Sequence, residues 1–169
     1  MIRQATPEDL PAILDIYNEA IRTGTAVYRC AEQTLEEKRV WYEQARASGF
    51  PVIVFAEGGS VAGFGTFGRF RAYEGYRYTV EHSVYVRPAH QGRGIGAALL
   101  GALIDTAGER GYAVMIAAID AANAPSRRLH ETFGFLHAGT LHGVGWKFGR
   151  WLDVALYEKR LREDVPEAR

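Results

Sequence analysis

Residues 78–100 read YTVEHSVYVRPAHQGRGIGAALL, and this stretch decides which fold the chain can adopt. Residues 78–87 are rich in β-branched and aromatic side chains, which predicts a long strand that Pro88 ends. The turn QGRGIG at 91–96 then leads into a helix predicted for residues 96–110, with Gly111 placed to end it. Free N–H groups at a helix start and the helix dipole together predict an anion site that suits a diphosphate.

Several interpretations of this turn have to be compared. Glycines at 92, 94 and 96 would let the backbone approach an anion and adopt positive φ. A nucleoside triphosphate loop is excluded because Ala97 and Ala98 stand where it needs a lysine and a hydroxyl residue. A dinucleotide site stays open because Asp120 ends the next strand, although the glycine spacing is GxGxG and not GxGxxG. An ordinary strand-to-helix turn also stays open.

The rest of the chain predicts a mixed sheet with helices on both sides. Thr6 and Thr34 each precede a run with helical spacing and have an acidic residue three positions later, which is typical of helix starts. We expect these helices to end near residues 22 and 49, and a short helix to run from 123 to 134. The predicted strands are 2–5, 52–56, 61–70, 78–87, 114–119, 135–144 and 151–157.

The composition limits the class of protein. A chain of 169 residues fits a single domain over residues 1–169, of which we expect 162–169 to be a flexible, solvated tail. Lys plus Arg number 20 and Asp plus Glu number 20, so no general attraction to nucleic acid or to a membrane is expected. Cys30 is the single cysteine, and no apolar segment resembles a signal or a membrane span, which favours a cytoplasmic protein.

Two motifs resemble signatures of the GNAT family of N-acetyltransferases, and they follow each other along the chain in the order that the family has. The turn QGRGIG resembles the acyl-CoA signature Q/RxxGxG/A, and NAPSRRLHETFGF at 123–135 resembles the second signature. IYNEAI, YTVEHSVYV and KFGRWLD resemble the phosphinothricin and methionine sulfoximine acetyltransferase group over nearly the whole chain. The resemblance implies an α/β (α+β) fold with a mixed, largely antiparallel sheet of about seven strands, acetyl-CoA as cofactor and a homodimer.

The resemblance also assigns cofactor-binding residues. The backbone of Val84, Tyr85 and Val86 would pair with the pantetheine arm. Asn123 would contact that arm near its reactive end, unless it serves only as a helix cap. The diphosphate would be held by the turn residues Gln91, Gly92, Arg93, Gly94, Ile95, Gly96 and Ala97.

Two residues are candidates for proton transfer. A protonated amine cannot attack a thioester, and Glu81 in the pantetheine strand is the candidate base. His130 occupies the position where the family usually has a tyrosine that protonates the departing thiolate. Because a thiol with a pKa of about 8.5 needs little assistance, three roles stay open for His130: proton donor, hydrogen-bond partner of the sulfur, or packing residue.

The resemblance assigns the acceptor to two stretches: Arg71, Ala72 and Tyr73, and Glu81, His82 and Ser83. Strand alternation puts Glu81 and Ser83 on one face and His82 on the other, unless a bulge reverses the pattern. Arg71 would bind a carboxylate, unless its loop is only a solvated crossover. We expect acetyl transfer to the amine of a small amino-acid-like acceptor by direct attack. A protein or peptide N-acetyltransferase and a non-catalytic acyl-CoA sensor are the alternatives.

Other reactive groups give no competing site. Cys30 lies in a polar stretch far from both motifs, so a covalent cysteine route is not expected. Aromatic residues near the end of the chain predict either a dimer interface or core: Trp146, Phe148 and Trp151. No metal is expected, because the histidines do not share ligand spacing with carboxylates: His82, His90, His130, His137 and His142.

Overall fold

A computed structural model describes residues 1–164, which form a seven-stranded sheet with helices on both faces, as the sequence predicted. Residues 165–169, and with them most of the tail predicted for 162–169, lie outside the described residues. The elements in chain order are β1 (Ile2–Gln4), α1 (Leu10–Thr23), α2 (Leu35–Ala47), β2 (Val52–Glu57), β3 (Ser60–Arg69), β4 (Thr79–Val86), α3 (Ile95–Glu109), β5 (Val114–Asp120), α4 (Ala124–Thr132), β6 (Leu136–Lys147) and β7 (Arg150–Arg160).

Neighbouring strands of the sheet run parallel at one place, between β4 and β5. The strand order is β1-β2-β3-β4-β5-β7-β6, and β4 and β5 are the parallel neighbours in an otherwise antiparallel sheet. Their pairing covers residues 79–81 of β4 and 114–116 of β5 and then stops. From His82 onward β4 pairs with β3, while β5 continues beside β7. The two strands therefore diverge and leave a wedge-shaped opening in the sheet.

Side-chain alternation along the strands divides the core into two layers. Val52 and Val54 of β2 pack with α1 and α2, whereas Ile53 between them packs with α3. The apolar stripe predicted for α3 is buried, and Leu99 and Leu103 have no exposed surface. Complete burial of a leucine stabilises a fold by roughly 1.5–3 kcal/mol, so α3 is held firmly against the sheet.

The predicted helix starts are confirmed by their hydrogen bonds. The backbone N–H of Glu37 donates to Thr34 Oγ1 at 3.2 Å, and the Thr34 N–H donates to the Glu37 carboxylate at 2.7 Å. The Thr6 N–H donates to Asp9 Oδ2 at 2.8 Å, and Asp9 also pairs with Arg3. These contacts satisfy backbone donors that a helix start otherwise leaves open.

The closing hairpin is longer than predicted. Strand β6 extends to Lys147 and β7 begins at Arg150, so Phe148 and Gly149 alone connect them. Both connecting residues have positive φ, 51° and 71°, which is the geometry of a tight type I′ hairpin turn. Phenylalanine is rare in this conformation, so the turn gave no sequence signal.

Strand β4 carries no bulge. Its pairing with β3 runs without a register shift from Gly63 opposite Val86 to Arg69 opposite Val80. Glu81 and Ser83 therefore lie on one face and His82 on the other, as simple alternation predicts. The bulge that would have placed all three on one face is absent. No helix within residues 1–164 has the length and apolar character that crossing a membrane requires.

Candidate active site

The opening between β4 and β5 forms a cleft of about 970 Å³. Residues 82–86 of β4 and 117–120 of β5 form its two sides, and the start of α3 closes one end. The β5-facing edge of residues 82–86 has no strand partner among the described residues. A linear molecule that carries amide groups can therefore pair with this edge in the way that a strand would.

The predicted phosphate turn lines the cleft and has the geometry that an anion needs. Gly92 and Gly94 have φ values of 74° and 79°, and a Cβ at either position would meet no atom within 4 Å. Gly94 is the N-cap of α3 and has no side-chain cap, so the first N–H groups of α3 stay free. Gly96 differs from the prediction: it lies inside α3 without positive φ, and a Cβ there would reach Leu129 at 3.7 Å.

Neighbouring side chains of the turn have separate partners. Gln91 Nε2 donates to the Val86 carbonyl at 3.3 Å and so ties the turn to the end of β4. Arg93 does not line the cleft, because its guanidinium pairs with Glu57 at 2.8 Å on the β2–β3 turn. Gln91, Gly92, Gly94, Ile95, Gly96 and Ala97 do line it. Arg93 thus adds its backbone to the turn, and its charge is neutralised elsewhere.

Asn123 both caps α4 and lines the cleft. Its side-chain oxygen accepts a hydrogen bond from the Ser126 N–H at 3.1 Å. Asn123 is therefore a helix cap, and this role leaves its side-chain NH₂ group free to contact a ligand in the cleft as well.

Glu81 lies at the point where β4 and β5 stop pairing and the cleft begins, which we call the apex of the cleft. It faces Ile116 in the last residue pair that β4 and β5 share. Burial raises the pKa of the Glu81 carboxyl, and the nearby positive charge of Arg71 offsets part of that rise. Glu81 is not itself among the cleft-lining residues, but Ser83 and Tyr85 on the same face are. A carboxylate with a raised pKa is a better proton acceptor near neutral pH.

His82 and His130 form a buried pair beside this apex. Their rings are stacked, with centroids 5.1 Å apart and planes 19° apart, and the two Nε2 atoms are 3.1 Å apart. His130 Nδ1 lies 2.7 Å from the Ser126 carbonyl oxygen. Burial lowers the pKa of both imidazoles, that of His82 to about 3. Both histidines were site candidates from the sequence, but nothing in the sequence indicated their contact across 48 residues.

The loop that carries Arg71, Ala72 and Tyr73 lies away from the cleft. All three residues are exposed, Tyr73 by 80%, and none lines the cleft within one chain. The Arg71 guanidinium lies over the Phe70 ring at 4.3 Å and donates to the Phe70 carbonyl at 3.1 Å. Of the predicted acceptor residues, His82 and Ser83 therefore line the cleft. Arg71 does not line it, and its positive charge acts on the site by lowering the pKa of Glu81.

The segment between α1 and α2 forms a wall of the cleft that the sequence did not reveal. Thr25 lines the cleft and its hydroxyl donates to the Asp120 carboxylate. Lys147, only 3% exposed, donates to the carbonyls of Gly24 at 2.8 Å and Val27 at 2.7 Å. These contacts join positions more than 90 residues apart in the chain, which a single sequence does not show.

Two charged residues at this wall have different roles. Asp120, the candidate ribose-binding acid, holds Thr25 with one oxygen and accepts the Ala122 N–H with the other at 3.0 Å. Arg150 also lines the cleft, and within residues 1–164 it forms no ion pair. It is therefore a cleft-lining guanidinium that can bind an anionic ligand.

Comparison with known proteins identifies the family. The acetyltransferase (GNAT) family model matches residues 11–135. The L-methionine sulfoximine/L-methionine sulfone acetyltransferase of Salmonella typhimurium is 45% identical over 99% of this chain and 98% of its own. The L-amino acid N-acyltransferase of Escherichia coli is 42% identical over 96% and 94%. A phosphinothricin acetyltransferase from Sinorhizobium meliloti, solved in complex with acetyl-CoA, has a TM-score of 0.92 and 35% identity over 95% and 87%. The chain belongs to the GNAT family.

The protein is an acetyl-CoA-dependent N-acetyltransferase, and its cleft fits this cofactor. The open glycine turn at Gly92 and Gly94 suits the diphosphate, and the unpaired edge of residues 84–86 suits the amide-bearing arm. The dinucleotide interpretation is wrong, because the turn follows the fourth strand of a mostly antiparallel sheet and the Asp120 carboxylate already accepts a hydrogen bond from the Thr25 hydroxyl. Among residues 1–164 no three His, Cys, Asp or Glu side chains are grouped as metal ligands would be.

The aromatic residues at the β6–β7 hairpin lie on the surface of the single chain. Trp146, Phe148 and Trp151 are 54%, 56% and 66% exposed, and the two indole rings contact each other at 5.1 Å. The interpretation of these residues as core is wrong, and the other interpretation, a subunit interface, is treated below.

Proposed function

We propose that this enzyme acetylates the amine of a small amino-acid-like acceptor of the phosphinothricin or methionine sulfoximine type, by direct attack. The observation that supports the proposal is the cleft that opens directly after the Glu81–Ile116 pair and is lined by the phosphate turn. The relatives named above act on methionine sulfoximine, methionine sulfone, L-amino acids and phosphinothricin. Each of these acceptors carries an amine and a carboxylate on one carbon.

Acetyl-CoA, when bound, supplies a thioester carbonyl that a neutral amine can attack. Glu81 takes a proton from the acceptor ammonium, directly or through one water, and its raised pKa suits this role near neutral pH. Ser83, on the same face of β4 as Glu81, lines the cleft and would orient the acceptor. His130 of α4 also lines the cleft and is the candidate residue for protonating the departing sulfur or donating a hydrogen bond to it.

Two arginines are candidates for binding the acceptor carboxylate. The positive charge of Arg71 lowers the pKa of Glu81, which places Arg71 near that carboxyl, and the resemblance assigns the loop of Arg71 to the acceptor. Arg150 lines the cleft together with Gly24 of the segment that Lys147 anchors, and it pairs with no carboxylate in the part of the chain that the structure describes. A guanidinium binds a carboxylate through two parallel hydrogen bonds, so either residue would select α-amino acids over simple amines.

An acceptor screen tests the proposal. Thiol release from acetyl-CoA is measured with methionine sulfoximine, phosphinothricin, the common amino acids and a set of peptides that begin with small residues. We expect turnover with the two analogues and little with peptides. Preferred turnover with peptides would support the alternative of a protein N-acetyltransferase. Acetyl-CoA binding without turnover on any amine would support a sensor.

A paired comparison identifies the carboxylate-binding arginine. Arg71→Ala and Arg150→Ala are each assayed with the free amino acid and with its methyl ester, which has lost the charge. The arginine that binds the carboxylate should, when removed, raise the Michaelis constant for the acid by roughly tenfold or more and leave that for the ester nearly unchanged. Equal damage to acid and ester in both variants would contradict carboxylate recognition by either residue.

We further propose that the enzyme is a cytoplasmic homodimer. The exposed pair of Trp146 and Trp151 with Phe148 beside it supports a subunit contact, since aromatic side chains are enriched in interfaces. The single cysteine, Cys30, suits a reducing compartment. Sedimentation velocity of the wild type and of Trp151→Glu tests the dimer. A wild type that sediments as a monomer would contradict it.

A further inference from the structure

Helix α1 carries the motif IYNEAI at residues 16–21, and the proton transfer proposed above gives this motif no role. Ile16 and Ala20 of the motif line the cleft, and Thr23 lines it as well. The three positions are about one helical turn apart and form a row about 10 Å long on one side of the helix. We call Ile16, Ala20 and Thr23 the α1 stripe.

The α1 stripe lies on the same side of the sheet as the proposed base. The side chains of Glu81, Ser83 and Tyr85 share one face of β4. On that face Tyr85 packs edge-on against Tyr17 of α1, with the ring centroids 5.4 Å apart. An acceptor whose amine is deprotonated by Glu81 therefore approaches from the α1 side of the sheet and passes the α1 stripe.

The lining of the cleft on this side suits an uncharged side chain. The residues that α1 and the segment after it contribute are all uncharged: Ile16, Ala20, Thr23, Gly24, Thr25 and Ala26. The nearby Asp120 carboxylate already accepts hydrogen bonds from the Thr25 hydroxyl and the Ala122 N–H. A cationic side chain would thus be buried beside groups that do not neutralise it, which is costly.

The position of α1 is fixed, so the helix cannot move away from a large ligand. Asn18, only 7% exposed, donates from Nδ2 to the Gln33 carbonyl at 2.9 Å and accepts the Gln33 N–H at Oδ1, also at 2.9 Å. Ile16 and Ile21 are buried in the core. The size of the side chain at position 20 consequently decides how much room the cleft has beside α1.

We propose that the side chain of the acceptor lies along the α1 stripe and that Ala20 determines how large this side chain can be. This inference rests on the proposed acetyl transfer. Ala20 has the smallest side chain of the stripe and so leaves the space that a ligand can fill. An extended amino acid with an unbranched, uncharged side chain of methionine-like length matches the length and the chemistry of the stripe. Ala20 is thus a specificity-determining residue and takes no part in proton transfer.

Two substitutions of opposite size test this inference with acceptors of increasing side-chain length: 2-aminobutyrate, methionine sulfone and ethionine sulfone. Ala20→Leu fills the space beside α1 and should lower kcat/KM for methionine sulfone, relative to that for 2-aminobutyrate, by roughly tenfold or more. Ala20→Gly enlarges the space and should raise kcat/KM for ethionine sulfone, relative to that for methionine sulfone, by roughly threefold or more. Calorimetry should show unchanged acetyl-CoA affinity in both variants.

A matched control separates acceptor choice from the cost of overfilling the core beside α1. Ala12 lies on the same helix, is partly buried in the α1–α2 layer and does not line the cleft. Ala12→Leu should therefore change stability without changing the preference among the three acceptors. If the wild type acetylates methionine sulfone and both Ala20 variants keep its preference, the inference about Ala20 alone is overturned. A wild type that acetylates no amino acid would overturn the proposed function, and this inference with it.

Discussion

The two sides of the cleft are built in different ways. The side that we assign to the cofactor consists of one contiguous turn, in which the backbone of Gly92 and Gly94 and the free N–H groups of α3 would bind the diphosphate. The side that we assign to the acceptor is assembled from the α1–α2 segment, the end of the β4–β5 pairing and the start of β7, through side chains such as Lys147 and Asp120. One side therefore depends on local conformation, and the other depends on long-range contacts.

This difference separates the effects of substitution on the two sides. A change in the turn should affect cofactor binding and little else, because the turn makes few long-range contacts. A change on the acceptor side should leave cofactor binding intact and alter turnover or acceptor affinity. Three predictions test the distinction and a fourth tests the packing behind β4, from the largest expected effect to the smallest.

The largest effect is expected at the apex of the cleft. Glu81→Gln removes the proposed proton acceptor and should lower kcat by roughly a hundredfold or more, while calorimetry shows unchanged acetyl-CoA affinity. Glu74→Gln, in the exposed loop before β4, is the control and should have normal activity. If His130→Phe proves more damaging than Glu81→Gln, the proton-transfer roles of the two residues have to be exchanged.

On the cofactor side, Gly94→Val should weaken acetyl-CoA binding at least tenfold. Its φ of 79° disfavours any branched side chain, and the new methyl groups would occupy the open space in front of the turn. Gly49→Val is the matched control, since Gly49 has a φ of 74° and the same open surroundings at the end of α2. Both variants bear similar strain, so equal acetyl-CoA affinity in a calorimetric titration would contradict the assignment of the turn.

A smaller effect is expected where the acceptor wall is anchored. Lys147→Met leaves the carbonyls of Gly24 and Val27 without their donor and should loosen the segment that carries Thr25. We expect the Michaelis constant of the acceptor to rise by roughly fivefold, with acetyl-CoA affinity unchanged. Lys159→Met on the same hairpin is the control. A loss of acetyl-CoA affinity would show that the two sides are not independent.

The smallest effect concerns Lys38, behind the acceptor side of β4. Its ammonium lies 3.8 Å above the Tyr17 ring, and Tyr17 packs edge-on against Tyr85 of the cleft. Burial lowers the pKa of Lys38 to about 8 from its ordinary 10.5, so below pH 8 the folded protein bears the full cost of a buried charge. The contact with Tyr17 offsets part of that cost. Lys38→Met should therefore raise the free energy of unfolding at pH 7 by about 1 kcal/mol.

The sign of the pH dependence checks this assignment. Between pH 8 and 10.5 the unfolded wild type binds more protons at Lys38 than the folded protein does, so the contribution of Lys38 to the free energy of unfolding rises with pH across this window. Lys38→Met lacks this rise, and its advantage in urea unfolding should shrink towards pH 10.5. An advantage that is constant with pH would mean that the buried charge is not its cause.

The residues predicted to bind the cofactor lie together at one cleft, whereas those predicted to bind the acceptor lie there only in part. Val84 to Val86, Asn123 and all of the turn except the Arg93 side chain line the cleft, and each belongs to a strand, turn or cap with its own local signal. The contact of His82 with His130 and the anchoring by Lys147 had no such signal. They depend on which elements become neighbours, and Arg71 was predicted at the acceptor from resemblance although its loop faces solvent in one chain.

The sequence by itself determined the elements, the glycine turn and the presence of a carboxylate and a histidine near it. These features follow from side-chain periodicity, capping and backbone freedom, all of which act within a few residues. The tertiary structure alone decided that β4 and β5 stop pairing after Glu81, and that the His82 ring comes into contact with the His130 ring. Both outcomes depend on packing between elements distant in the chain, because a parallel pair shares no turn that fixes where its pairing ends.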